Sequence, residues 1–247
     1  ANWSSGVEML FSTSSRNINL KFELIGKNAV TFRVYRDGRV LKDYRFVGLE
    51  KKNPVEIRLE SPDGRPHSYQ VDLPTNVQAI ITGIELDRNA KLKEMTLPAK
   101  PVYVALGDSV THGSVALDGL AADSYAYILA NKLNYDLYNL AVGASKVSVP
   151  VGEMLKDWKK IDLITLLIGY NDFSWGGVSV KDYKAKYLDL LEAIRKHHPS
   201  VPIFCITLTY TRTGKSDKTG VTADEYRNAV IEIVKSRQAG GDKELFL

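Results

Sequence analysis

Apolar and polar positions alternate with a period of two through the first part of the chain. Ile18, Leu20, Phe22 and Leu24 are separated by Asn19, Lys21 and Glu23; Val30, Phe32 and Val34 repeat the spacing, as do Val55, Ile57 and Leu59. Successive side chains of a strand point to opposite faces, so the pattern predicts strands with one face buried. Asp37-Gly38 and Pro62-Asp63-Gly64 stand between such runs. Asp-Gly tolerates positive φ and suits tight hairpin turns. Helical spacing is scarce up to about residue 97, which predicts a small antiparallel β-sandwich.

The pattern then changes. Leu97-Pro98-Ala99-Lys100-Pro101 reads as a short stiff linker, because proline removes a backbone donor and disfavours helix. Beyond it, apolar runs at residues 102–106, 137–142, 161–168 and 203–208 are nearly continuous, as strands covered on both faces are. Helix-like stretches lie at about 121–133, 151–159, 181–198 and 223–238. This regular alternation predicts an α/β domain with a parallel sheet over residues 99–247, preceded by the all-β sandwich over residues 1–98. Ligands of such sheets bind at the carboxyl ends of the strands, so that is where chemistry is sought.

The first strand runs straight into Gly107-Asp108-Ser109. A helical turn starting near Ser109 would aim free backbone N–H groups, that of Ser109 included, at an incoming oxyanion. Taken alone, Asp108 or Ser109 would serve equally well as a helix cap. The second strand leads into Asn139-Leu140-Ala141-Val142-Gly143-Ala144-Ser145, and the third into Ile168-Gly169-Tyr170-Asn171-Asp172. Gly143 presents its N–H with no Cβ in the way, and the Asn171 amide is a donor. A hydroxyl, a bare N–H and an amide donor from three strand ends are what the tetrahedral intermediate of acyl transfer needs, one such donor being worth roughly 3 to 4 kcal/mol.

From about residue 101 onward these motifs resemble those of the SGNH hydrolase superfamily, the GDSL-type esterases. Gly107-Asp108-Ser109 is similar to the first motif, residues 139–143 to the second, and Gly169-Tyr170-Asn171-Asp172 to the third. The resemblance implies a flavodoxin-like α/β/α sandwich, Ser109 as nucleophile, and Gly143 and Asn171 as oxyanion donors. The β-domain ahead of it resembles, in architecture alone, the accessory sandwich of carbohydrate esterases of the acetyl-xylan type.

The superfamily's fourth motif, Asp-x-x-His after the last strand, supplies the general base and the aspartate that orients it. None of the four histidines fits it. His67 lies in the β-domain beside Pro66 and reads as a surface position. His197 and His198 precede Pro199, but three residues before His198 stands Arg195. That pair also ends a helix feeding the fourth strand, at the edge of the sheet opposite Ser109. His112 is on the correct edge, with no evident partner to fix its tautomer, and reads as pocket wall. Residues 243–247 read as the start of a fifth strand. The Asp-x-x-His pair is therefore expected from a partner chain or a further segment.

Three loops are expected to rim the site: residues 113–123, residues 173–177 and residues 210–222. Asp108, His112, Trp175 and Tyr210 are the rim candidates; Trp175 suits a sugar face or anchors its loop. Arg212 reads as solvated. The formal charge of +4 comes from scattered residues with no basic block, which argues against nucleic acid. No apolar run reaches the roughly 18 residues of a membrane span. Residues 1–6 carry no signal-peptide pattern, and a secreted or periplasmic location is expected. The single cysteine, Cys205, excludes an intrachain disulfide and reads as buried and inert. No metal-ligand spacing or phosphate cradle is present, so no cofactor is expected. The reading is a serine esterase that removes small O-acyl groups, chiefly O-acetyl, from a carbohydrate through an acyl-serine. The alternatives are a carbohydrate-binding protein that has lost catalysis on this fold, and an acyltransferase.

Overall fold

The computed structural model describes residues 6–95, 97–114 and 116–247. The leading run read above for a targeting segment lies, except for Gly6, outside the described residues, as does Val115 in the first rim loop. The chain forms two compact units, residues 1–99 with 113–128, and residues 100–112 with 129–247.

The first unit holds seven strands: β1 (Glu8–Thr13), β2 (Asn17–Ile25), β3 (Val30–Arg36), β4 (Arg39–Phe46), β5 (Lys52–Glu60), β6 (His67–Asp72) and β7 (Gln78–Leu86). They make two antiparallel sheets, in the orders β1-β6-β3-β4 and β5-β2-β7. The alternating residues supply one shared core: Ile18, Leu20, Phe22 and Leu24 pack with Val30, Phe32, Val34, Ile57 and Leu59. Asp37 and Gly38 both take positive φ, 51° and 75°, as a two-residue hairpin turn whose twist matches its strands requires. Strand β4 is a sheet edge, exposed or half-exposed along its length, with Tyr44 and Phe46 at its end packed against the core.

Residues 113–128 join this unit through polar contacts that sequence spacing does not reveal. The Thr75 hydroxyl lies 3.2 Å from the carbonyls of both Gly113 and Gly119. Asn76 Nδ2 donates to Ser114 O. Tyr127 donates to the buried Asp72 carboxylate at 2.6 Å.

His67 sits in β6 between two carboxylates, 2.9 Å from Asp63 and 2.6 Å from Asp37. Hydrogen bonds from Asp63 and then Asp37 raise its pKa from 6.5. The His67 bond holds Asp63 down at about 2. The raised histidine stabilises the fold fully below 6.5 and loses that contribution as pH climbs through its folded value. The lowered Asp63 contributes fully above 3.8 and loses it as pH falls toward about 2. The cluster is therefore strongest between those limits. Asp63→Asn is expected to lower the His67 midpoint in an NMR titration; an unmoved midpoint would contradict the pairing.

The second unit carries a five-stranded parallel sheet in the order β12-β11-β10-β8-β9. Its strands are β8 (Val102–Gly107), β9 (Asp136–Asn139), β10 (Leu163–Leu167), β11 (Ile203–Cys205) and β12 (Leu245–Phe246). The helices are α1 (Ser109–His112), α2 (Tyr125–Leu133), α3 (Val149–Glu153), α4 (Val180–His197) and α5 (Ala223–Ala239), with α2 beginning in the first unit. Helices α4 and α5 bury Tyr183, Tyr187, Leu190, Ile194, Tyr226, Val230 and Ile233 in the same core as Val104, Leu106, Ile164 and Leu166. Ser179 and the Thr222–Glu225 capping box fix their starts. Cys205 is fully buried and burial pushes its thiol up to about 11, so it stays protonated and inert.

The α/β/α arrangement matches the sequence pattern, with two local differences. The helix expected at 151–159 ends at Glu153. Residues 152–158 then tighten into i→i+3 turns, and the Trp158 ring meets Tyr138 edge-on at 4.7 Å. The second, third and fourth strands are shorter than their apolar runs. Leu140, Ala141, Ile168 and Ile206 leave the ladder and enter the loops at its carboxyl edge.

Candidate active site

In this strand order the chain winds outward in opposite directions from β8 and β10, so the carboxyl ends of those neighbours form the topological switch point. Ser109 follows β8 and Asn171 follows β10, while Gly143 follows β9 on the other side of β8.

Gly107 makes the first turn possible by its size. A Cβ there would stand 2.1 Å from Thr111 Oγ1 and 2.5 Å from Leu167 O, so α1 folds back onto the strand end only over a glycine. Gly107→Ala is expected to cost about 3 kcal/mol of stability, the upper range for overpacking, read as a lowered urea midpoint. An unchanged midpoint would contradict this packing. Asp108 Oδ1 accepts the Val110 N–H at 3.0 Å, and its carbonyl accepts His112 N–H at 2.9 Å. Its side chain thus holds the turn, and at 2% exposure it lies beneath the surface rather than at a rim. Burial raises its pKa. Ser109 is half-buried, and its hydroxyl makes no hydrogen bond among the described residues.

The second loop is laced to this turn. Gly107 O accepts from both Val142 N–H at 3.3 Å and Ser145 Oγ at 2.9 Å. Asn139 Nδ2 donates to Thr111 O at 2.9 Å, and its Oδ1 accepts Ala141 N–H. Ser145 N–H closes a turn onto Val142 O. Within that turn Ala144 carries the positive φ, 64°, and Gly143 does not. The use of glycine at 143 is therefore not left-handed backbone. The Gly143 N–H is bonded to nothing among the described residues and is available as a donor.

The third loop completes the set. Gly169 adopts φ 129°, and a Cβ on it would meet the Tyr183 hydroxyl at 2.6 Å. Asn171 is 6% exposed. Its Nδ2 donates to Ser145 O at 2.8 Å, and its Oδ1 accepts Trp175 Nε1–H at 3.0 Å. One Nδ2 hydrogen remains for a ligand. Asp172 Oδ2 accepts Val147 N–H at 3.1 Å, its Oδ1 has no partner, and burial raises its pKa. Asn171 and Asp172 together pin both ends of the segment that follows Gly143. Sequence spacing showed Asn139, Ser145 and Asp172 inside motifs but did not show these roles.

None of the four histidines is hydrogen-bonded to Ser109 among the described residues. His197 pairs with Glu153 at 3.0 Å and His198 with Leu155 O at 2.8 Å, at the end of α4 that feeds the amino edge of β11. His67 belongs to the first unit. His112 is 7% exposed and burial lowers its pKa. Trp175 is half exposed, on a π-helical turn (Asp172–Gly176) where a loop was expected, and Tyr210, on a loop, is 87% exposed; Arg212 beyond is exposed. Residues 113–123 lie in the first unit. Among the described residues no group of His, Cys, Asp and Glu is arranged to hold a metal ion, and no helix is long and apolar enough to cross a membrane.

Residues 105–241 match the family of GDSL-like lipases and acylhydrolases. No curated protein matches the chain. Among solved structures, a salicylyl-acyltransferase from a tetracycline biosynthetic pathway superposes with a TM-score of 0.80 at 23% identity, over 99% of this chain and 69% of that one. An active-site mutant of a family two carbohydrate esterase from Clostridium thermocellum, in complex with a cello-oligosaccharide, gives 0.75 at 17% identity, over 99% and 81%. A GDSL-like lipase from Bacteroides ovatus gives 0.75 at 21%, over 98% and 73%.

Proposed function

We propose, from the premise that this chain belongs to the GDSL-like lipase and acylhydrolase family within the SGNH hydrolase superfamily, that Ser109 carries a small acyl group between an ester and water. The observation that supports this most is the hydrogen-bonded lacing of three strand-end loops. It ties the turn that carries Ser109 to the loops that carry Gly143 and Asn171, which follow three neighbouring strands.

In this reading Ser109 Oγ attacks the ester carbonyl carbon while its proton passes to a base. The carbonyl oxygen becomes an oxyanion facing Gly143 N–H, Asn171 Nδ2 and the Ser109 N–H. The tetrahedral adduct collapses, the C–O bond to the alcohol breaks, and the alcohol leaves with a proton. Water then attacks the acyl-serine by the same route and releases the acid. In this reading the base is a histidine of a partner chain or a further segment, since His67, His197 and His198 are bonded to other groups and no hydrogen bond joins His112 to Ser109.

The substrate we propose is an O-acetylated carbohydrate. The half-exposed Trp175 offers a flat apolar face, and the Clostridium thermocellum esterase was solved with a bound oligosaccharide. The test is acetate release from an acetylated xylo-oligosaccharide, with imidazole in the buffer as a substitute base. Protein-dependent acetate release supports hydrolysis. Acyl product formed only with an alcohol acceptor would favour transfer. Glycan binding without turnover would favour a binding protein, the reading that the lack of a hydrogen bond from any of these histidines to Ser109 supports.

A further inference from the structure

Behind Asn171 stands a layer of groups that the proposed reaction does not use. The Trp175 indole N–H donates to Asn171 Oδ1 at 3.0 Å. Lys146 Nζ lies 4.3 Å from the centroid of that indole. Gly176 closes this stack: a Cβ there would stand 2.6 Å from Asn171 O and 3.0 Å from Lys146 Cε. Lys146 follows Ser145, whose carbonyl takes the other end of the Asn171 amide.

The chemistry of these groups is directional. A side-chain amide has an accepting and a donating end that exchange on a half turn, whereas an indole N–H only donates. Trp175 therefore accepts one orientation of Asn171, with Oδ1 toward the indole and Nδ2 as the end that faces Ser145 O and the oxyanion. A cation over the indole face interacts with the ring quadrupole, and donors in a chain polarise one another in a low dielectric. The order Lys146 ammonium, indole, N–H to Oδ1, Nδ2–H to oxyanion runs in the sense that strengthens the last donor as negative charge develops.

We propose that Trp175 and Lys146 are positioning residues of the oxyanion hole, which lock the Asn171 amide with its donor end toward the reaction and increase its donor strength. The inference rests on the acyl-transfer reading of Ser109 and Asn171. It gives Trp175 a role on every ester, sugar or not.

The test is kcat and KM for p-nitrophenyl acetate, with imidazole as base, in Trp175→Phe, Trp175→His, Lys146→Met and the double variant Trp175→Phe with Lys146→Met. Trp175 is half exposed, so phenylalanine leaves the fold in place. Trp175→Phe is expected to lower kcat roughly tenfold or more, part of the about 10²–10³ that loss of a whole donor costs, with KM held within about twofold. Trp175→His retains a ring N–H and is expected to recover part of that loss. Lys146→Met is expected to lower kcat about two- to fivefold, and the double variant to match Trp175→Phe alone, because the lysine acts through the ring. Unchanged kcat in Trp175→Phe, or a raised KM on sugar esters alone, would overturn the inference. Additive losses would remove Lys146 from it. Asn171→Ala in the same assay separates the layers. If Asn171→Ala is inactive while Trp175→Phe is intact, this inference alone fails; if Asn171→Ala retains full kcat, the acyl-transfer reading fails as well.

Discussion

Replacing Ser109 with alanine is expected to remove every part of ester cleavage that depends on the protein and on added imidazole. The serine stands at the end of β8, half-buried, with a hydroxyl that bonds to nothing among the described residues. A structural serine in such a turn would normally be spent on a cap. Here Asp108 holds the turn instead, and the hydroxyl is left over. Where a positioned base is present, loss of the serine is expected to cost on the order of 10⁶ in kcat. In residues 1–247 imidazole takes the place of that base, a group that contributes about 10²–10⁴ when held in position. The comparison is therefore the imidazole-dependent increment. Wild type should show one above the rate of imidazole in buffer, and Ser109→Ala should show none. Equal increments would place the chemistry elsewhere.

Asn171→Ala is expected to be the next largest loss, about 10²–10³ in kcat at nearly constant KM. The amide is fixed at both ends, by Ser145 O and by the indole of Trp175, so it meets the oxyanion with little reorganisation. The truncation also frees Ser145 O and the indole N–H, and loosens the loop that carries Gly143. A thermal midpoint should accompany the kinetics. A large fall in kcat with a small fall in midpoint assigns the effect to the donor. A fall in both of similar severity assigns it to the scaffold.

Much of the fold was legible because its driving pattern is local. The period of two at Ile18 to Leu24, and the continuous run at 102–106, follow from which faces of each strand are covered. The turn at Asp37-Gly38 was legible because positive φ restricts composition. What was not legible depends on partners distant in sequence. Residues 113–128 belong with the β-rich unit through Thr75, Asn76 and Asp72, contacts that no periodicity carries. Strand β4 gave little signal because only its last residues, Tyr44 and Phe46, face the core, while Val40 and Leu41 are exposed on this sheet edge.

The candidate site divides in the same way. Glycine and small polar residues at strand ends pointed to Ser109, Gly143 and Asn171, and the structure places them at three neighbouring strand ends. The burial of Asp108 and the anchoring of the Asn171 amide by Trp175 are three-dimensional facts. Aspartate beside a nucleophile and tryptophan four residues after an asparagine look equally suited to a rim. The 3.0 Å bond to Val110 N–H and the 2% exposure show Asp108 holding its turn, and the 3.0 Å bond from Trp175 Nε1 shows that a half-exposed rim residue also anchors the Asn171 amide.

The most direct test of the central claim is the position of the acyl group. The protein is mixed with p-nitrophenyl acetate and imidazole, quenched in acid, and its proteolytic peptides are weighed. The account predicts acetyl on the peptide that contains Gly107-Asp108-Ser109, a much lower yield in Asn171→Ala, and none at that peptide in Ser109→Ala. Acetyl of equal yield on another residue, or rapid protein-dependent ester cleavage with Ser109 never modified, would contradict it.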